Sequence, residues 1–157
     1  LRISSTLILS YSIIWWEIDL KERFFSFARE CALNSDFRGA SKARIGCVVV
    51  WKGNIIAKSN NKSRTSTVQW RYNSLRFDTS TNHYCPSCVH AEIAALNKIK
   101  YLDIDFSKVD VYVYRELRNG TRACARPCIA CESFMRDLGI THVCYTMENS
   151  FVEEWYT

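Results

Sequence analysis

Four side chains in this sequence are of the types that hold a metal ion and move protons beside it. His90 and Glu92 stand two apart in the apolar run "CVHAEIAAL" (88–96), and Cys128 and Cys131 stand three apart in "RPCIAC" (126–131). A carboxylate at the margin of an apolar segment is costly to bury unless it has a partner or a task. Pro127 suits the first turn of a helix that opens at Cys128, and residues three apart on that turn share one face. Thiolates there are stabilised by unpaired N–H groups and the positive end of the helix dipole. If His90 opens an earlier helix in the same way, two parallel strand-to-helix units bring both helix starts to one end of a sheet. An imidazole and two sulfurs would then meet at one ion. Three protein ligands leave zinc a fourth position for water, as in catalytic rather than structural sites. Glu92 would then serve as general acid and base and not as a ligand.

The elements that must position these groups are legible in outline. Asp19 followed by Glu22 reads as a capping box for a first helix, with Phe24, Phe27, Ala28 and Cys31 recurring at helical spacing on its inner face. "RIGCVVVW" (44–51) reads as a buried strand, Lys52-Gly53-Asn54 as a tight turn and "IIAKS" (55–59) as the returning strand. Residues 60–84 are polar, basic and irregular. A second helix is expected from His90 to about Leu102, and a strand over 109–115. "LRNGTRACA" (117–125) reads as a loop with an Asn-Gly turn. A third helix runs from Cys128 to Leu138, stopped by Gly139, and a strand follows over 141–146. Ser150 with Glu153 three residues on suggests a short final helix. Helices alternating with strands in the second half predict parallel pairing and a three-layer α/β arrangement.

Length and composition bound the rest. A chain of 157 residues, 48% hydrophobic and 24% charged, suits one globular domain, here residues 19–157. Residues 3–16 carry no charge but are too few to span a bilayer. Residues 1–18 are therefore read as an N-terminal extension packing on the domain or on another subunit. A net charge of +5 suits an anionic small molecule or a nucleic acid without demanding either. Of the eight cysteines, Cys31, Cys47 and Cys144 lie in apolar contexts and read as small buried hydrophobes. Two C-x-x-C pairs in a sequence of cytoplasmic type point to metal before disulfides.

The ordered motifs H-A-E and P-C-x-x-C resemble those of the cytidine and deoxycytidylate deaminase superfamily, in the branch whose first ligand is histidine. The resemblance covers about residues 20–147. It implies a three-layer α/β/α fold with a mixed sheet of about five strands. It also implies hydrolytic deamination of a nucleobase amine, with His90, Cys128 and Cys131 as zinc ligands and Glu92 as proton shuttle. Ala91 matches the residue whose backbone N–H meets the base carbonyl. Asn61, or else Asn60, falls where the family has an asparagine that contacts the sugar. Two departures stand out. The connection "ELRNGTRACARPC" (116–128) is longer than in compact members, and the chain ends soon after its fourth strand, with only "FVEEWYT" to supply a fifth.

The basic and aromatic loop of residues 62–84 would sit at the rim of such a site. Arg64, Arg71 and Trp70 are its candidate contacts to a nucleotide phosphate or to single-stranded nucleic acid. His83, Cys85, Cys88 and Cys124 are candidates for a second, structural zinc, and His142 reads as structural. The leading expectation is a zinc-dependent deaminase acting on a cytosine-type nucleoside or nucleotide of the deoxycytidylate kind, in nucleotide metabolism and with homo-oligomers allowed. A polynucleotide-editing deaminase acting on single-stranded DNA or tRNA is the alternative. A non-catalytic zinc-stabilised binding module, closed by four protein ligands, is the remote one.

Overall fold

A computed structural model describes residues 20–36, 43–76 and 88–157. The N-terminal extension, the Asp19 cap, and His83 and Cys85 lie outside the described residues. The first helix, α1, covers 20–33 and turns Phe24, Phe25, Ala28 and Ala32 inward, with Phe27 half-buried. Strands β1 (Arg44–Trp51) and β2 (Asn54–Asn60) form the expected hairpin. Its two-residue turn places Lys52 and Gly53 at φ 51° and 75°, the left-handed backbone that matches the twist of the flanking strands.

Segment 60–76, read as irregular, holds a short helix, α2 (Thr67–Asn73), capped by Ser66 Oγ accepting from Gln69 N–H. Helix α3 is shorter than expected, Ala91–Leu96, and dissolves into turns over 97–102. It is entered not from a strand but from an isolated bridge between Lys62 and Val89. Strand β3 (Val109–Glu116) follows, and the loop after it closes as a small hairpin through β4 (Arg122–Ala123). Helix α4 (Ile129–Leu138) ends on Gly139 at φ 87°, and β5 is His142–Thr146. The expected final helix is instead strand β6 (Phe151–Trp155), antiparallel to β5. Seven residues are too few to show a helical period, and backbone groups on the open edge of β5 gain partners by adding a strand.

The main path of the mixed sheet is β2-β1-β3-β5-β6, with β4 attached to β3 and with β3 parallel to β5. One face carries Val48, Val50, Tyr112, Tyr114 and Cys144 against α1. The other carries Cys47, Val49, Val111, Val113 and Val143 against α3 and α4. Three layers result, as the alternation of elements requires, and Cys31, Cys47 and Cys144 are all buried in them. The carboxylate of Glu116, 2% exposed, is matched by Arg29 at 3.0 Å, Arg44 at 3.1 Å and the Tyr114 hydroxyl at 3.0 Å, which ties α1 to the β1–β3 pair.

Gly46 fixes how closely α1 approaches the sheet. A β-carbon there would lie 1.9 Å from the Ala28 carbonyl oxygen and 2.6 Å from the Ala32 nitrogen, both backbone atoms that cannot rotate aside. Gly46→Ala must push the helix off β1, and it is expected to cost about 3 kcal/mol or more, the upper end of overpacking. Urea unfolding measures this; a cost under about 1 kcal/mol, below the usual overpacking range, would show that α1 packs less closely than described.

Candidate metal centre and active site

His90 is the N-cap of α3 and Cys128 the N-cap of α4, both with extended backbone and neither using its side chain as a cap. Their side chains are thus available elsewhere, and they turn toward each other. His90 Nδ1 lies 3.4 Å from Cys128 Sγ and 3.3 Å from Cys131 Sγ, and the two sulfurs are 3.7 Å apart. Tetrahedral zinc with bonds of about 2.0 Å to nitrogen and about 2.3 Å to sulfur requires ligand edges of about 3.5 Å (N–S) and about 3.8 Å (S–S). The three atoms already stand at those separations, so the donor set fits zinc in type and in spacing.

The acid–base balance has the same origin. Contact with the Cys131 thiol, opposed by burial and reinforced by His90, holds Cys128 down at about 3, well below an ordinary thiol. Burial works against a charged His90, but its bonds to Cys128 and Cys88 outweigh it and raise the imidazole to about 10. Burial pushes Cys131 far up. A cation bound among these atoms would take the place of the protons they carry without it.

Glu92, in the first turn of α3, is 4% exposed, and among the described residues its Oε2 has no hydrogen-bond partner. Burial raises its pKa, with His90 opposing. A buried carboxylate oxygen without a partner, beside three clustered ligands, is the group the site has left uncommitted.

The remaining expected residues divide. Ala91 is the first residue of α3 and fully buried. Asn61 is buried, and its carboxamide is engaged by the fold: Oδ1 accepts from Ser35 Oγ and Ile45 N–H, and Nδ2 donates to the Ala43 carbonyl. Those bonds staple the end of α1 to the start of β1, a structural task for a side chain expected to contact the sugar. Asn60 donates to the Cys31 carbonyl. Arg64 and Arg71 are exposed, and Trp70 is 70% exposed on α2. Cys88 is buried and bonds to His90, whereas Cys124 is exposed; among the described residues neither joins a metal-binding group.

One positioning group escapes the sequence reading. Gln69, fully buried on α2, accepts the His90 backbone N–H on Oε1 at 2.8 Å and donates through Nε2 to Asn73 Oδ1, also at 2.8 Å. Tyr72 anchors the same helix to α4 by its ring against Phe134 and its hydroxyl on Asp137. The signal is present, since Ser66 with Gln69 three residues on is a helix-start pattern. On the α4 side, Ala125 N–H donates to the Thr146 carbonyl at 2.8 Å and fixes the approach to Cys128.

The family model for the cytidine and deoxycytidylate deaminase zinc-binding region matches residues 19–147. The chain belongs to that family and is by class a hydrolytic deaminase. Among solved structures it is similar to the apo dCMP deaminase of the cyanophage S-TIM5, with TM-score 0.54 and 21% identity, over 84% of this chain and 86% of that one. It is also similar to the cytidine deaminase from Burkholderia pseudomallei, with TM-score 0.57 and 16% identity, over 85% and 91%. At such identities these two likenesses establish the fold, a mixed sheet flanked by helices. No curated protein matches the chain. Among the described residues no helix is long and apolar enough to cross a membrane.

Removing the Gln69 acceptor leaves the part-buried His90 N–H unmatched, at a cost of about 1–3 kcal/mol. Gln69→Leu is therefore expected to lower stability by that amount and to weaken zinc binding about tenfold or more, the usual effect of losing a group that orients a ligand. Competition with a chromophoric chelator measures the second effect; unchanged zinc affinity would remove Gln69 from the positioning network.

Proposed function

We propose that this chain removes the exocyclic amine of a cytosine-type base by hydrolysis, with the base carried in a nucleoside or nucleotide of the deoxycytidylate kind. His90, Cys128 and Cys131 would hold the zinc ion. The observation that carries this reading is the buried Glu92 Oε2, without a partner among the described residues, beside three ligand atoms at tetrahedral spacing. A structural site closed by four protein ligands would have no use for that carboxylate, and among the described residues only three ligand atoms converge here.

When bound, the ion supplies Lewis-acid activation of water at neutral pH. Glu92 Oε2 takes the proton that the attacking water gives up and delivers it to the ring nitrogen next to the amine-bearing carbon. A second proton passes through the same oxygen to the leaving amine, so the products are a uracil-type base and ammonia. Burial raises the Glu92 carboxyl above its ordinary value, and this serves the cycle, because such a group holds the transferred proton longer than an exposed one would. Ala91 N–H lies at the first turn of α3, where backbone donors lack helical partners, and is assigned to the base carbonyl. Asn61 acts at a distance, through the backbone it staples.

Substrate choice is assigned to the α2 edge. Trp70 and Arg71 are exposed on the helix whose inner face carries Gln69. This edge would give a phosphate a cation and a base a stacking surface, which suits a mononucleotide.

Glu92→Gln is expected to lower the deamination rate by roughly 10²–10⁴ with zinc content unchanged, by the usual size of acid–base effects. Full activity in that variant would remove Glu92 from the reaction. An ammonia-release panel of cytosine, cytidine, deoxycytidine, deoxycytidylate and single-stranded oligonucleotides tests the substrate class. Turnover of the monomeric substrates, with oligonucleotides inert at low salt, is the expected result. Oligonucleotide turnover that falls steeply with salt and is lost in Arg71→Ala would reverse the assignment to the polynucleotide class.

A further inference from the structure

The sheet face opposite the active site carries a second mixed set of metal donors. His142 and Cys144, two apart on β5, share that face, and the pairing register sets Glu153 of β6 against Cys144 and Asp110 of β3 against His142. This is the α1 side, where Cys144 packs with Phe24, Phe25 and Tyr112. One ligand atom each from His142, Cys144 and Glu153 lies within 4.8 Å of the other two. His142 Nε2 stands 3.6 Å from Cys144 Sγ and 3.4 Å from Glu153 Oε2. Tetrahedral zinc requires about 3.5 Å for such a nitrogen–sulfur edge and about 3.3 Å for nitrogen–oxygen.

A separate observation concerns the imidazole itself. His142 Nδ1 lies 2.7 Å from Asp110 Oδ1. Since the carboxylate can only accept, Nδ1 carries the proton. Nε2, turned toward the sulfur and the second carboxylate, is then the nitrogen left for a cation to take. A carboxylate behind a histidine is the arrangement that fixes tautomer and ring direction in metal sites. Trp155 stacks on the ring at 4.0 Å and 20°, which sets its plane. Charge also balances: a dication would face the Cys144 thiolate, Glu153 and Asp110, with Lys21 paired to Glu153 supplying the last positive charge. His142 and Cys144 are buried, but the Asp110 and Glu153 side chains are 40% and 39% exposed, so the cluster opens to solvent on its carboxylate side.

We propose that His142, Cys144 and Glu153 form a second zinc site, oriented by Asp110, that fastens β6 to β5. On binding, the sulfur joins as thiolate and its proton passes to solvent. This site shares no residue with the active site and does not depend on the deaminase reading.

Zinc per chain, measured by elemental mass spectrometry on the full chain after dialysis against metal-free buffer, provides the test. Cys144→Ala and His142→Gln are each expected to hold one equivalent less than the parent while deamination continues. Cys128→Ser should lose a different equivalent, so that Cys128→Ser combined with Cys144→Ala loses two. Asp110→Asn, a partly exposed change that touches no ligand except through the His142 proton, should weaken this equivalent about 10–100-fold in chelator competition. Should the buried variants fail to fold, Asp110→Asn alone decides. Equal zinc content in parent, Cys144→Ala and His142→Gln, or an unaltered chelator curve for Asp110→Asn, would overturn the proposal.

Discussion

Everything in this molecule that bears on chemistry depends on two helix starts meeting. The first residues of α3 and α4 must come close enough for one imidazole nitrogen and two sulfurs to stand 3.3–3.7 Å apart. No local preference can secure that, because the histidine and the cysteine pair are separated by nearly forty residues of chain. The sheet secures it. Strand β3 lies between β1 and β5, buried along most of its length, and α4 crosses over so that the chain returns parallel to it as β5. On the other side, the Lys62–Val89 bridge and Gln69 hold the entry to α3 by its backbone.

Buried polar groups define the geometry more than the apolar core does. An apolar core tolerates shifts of side-chain volume, whereas a buried carboxylate or amide is stable only with its partners in place. Glu116 between two arginines, Asn61 between α1 and β1, and Gln69 beneath His90 each couple two or three elements in this way. Glu92 differs from these three: it sits in the first turn of α3 beside the ligands, and among the described residues its buried Oε2 finds no partner. That open oxygen, on a carboxyl whose other contact is Cys131, is consistent with a group kept for proton transfer at the expense of local stability.

The sequence shows some of this plainly and hides the rest for physical reasons. The two motifs are legible because ligand type, spacing and helix-start chemistry all point one way. The hairpin turn at Lys52-Gly53 and the stop at Gly139 are legible because Gly53 and Gly139 both take a left-handed backbone, which nearly dictates glycine. The final strand reads wrongly as a helix, since Ser150 and Glu153 imitate a helix start and only the open edge of β5 decides otherwise. Helix α2 is hidden inside a polar segment, although Ser66 and Gln69 mark it. The side chain of Asn61 suits substrate or scaffold, and its bonds to Ser35, Ala43 and Ile45, from distant parts of the chain, have no signal in the sequence. Cys144 and His142 read as inert in sequence because their partners, Asp110 and Glu153, come from two neighbouring strands.

The central claim is that the zinc at the two helix starts has one nitrogen and two sulfurs from the protein and one position left to solvent. X-ray absorption at the zinc edge tests it most directly, recorded on the full chain carrying Cys144→Ala so that the ion at the active site dominates the signal. A shell of two sulfurs, one imidazole nitrogen and one light oxygen is the predicted result. A shell of four nitrogen and sulfur donors with no oxygen would contradict the account, because Glu92 would then have no water beside it to act upon.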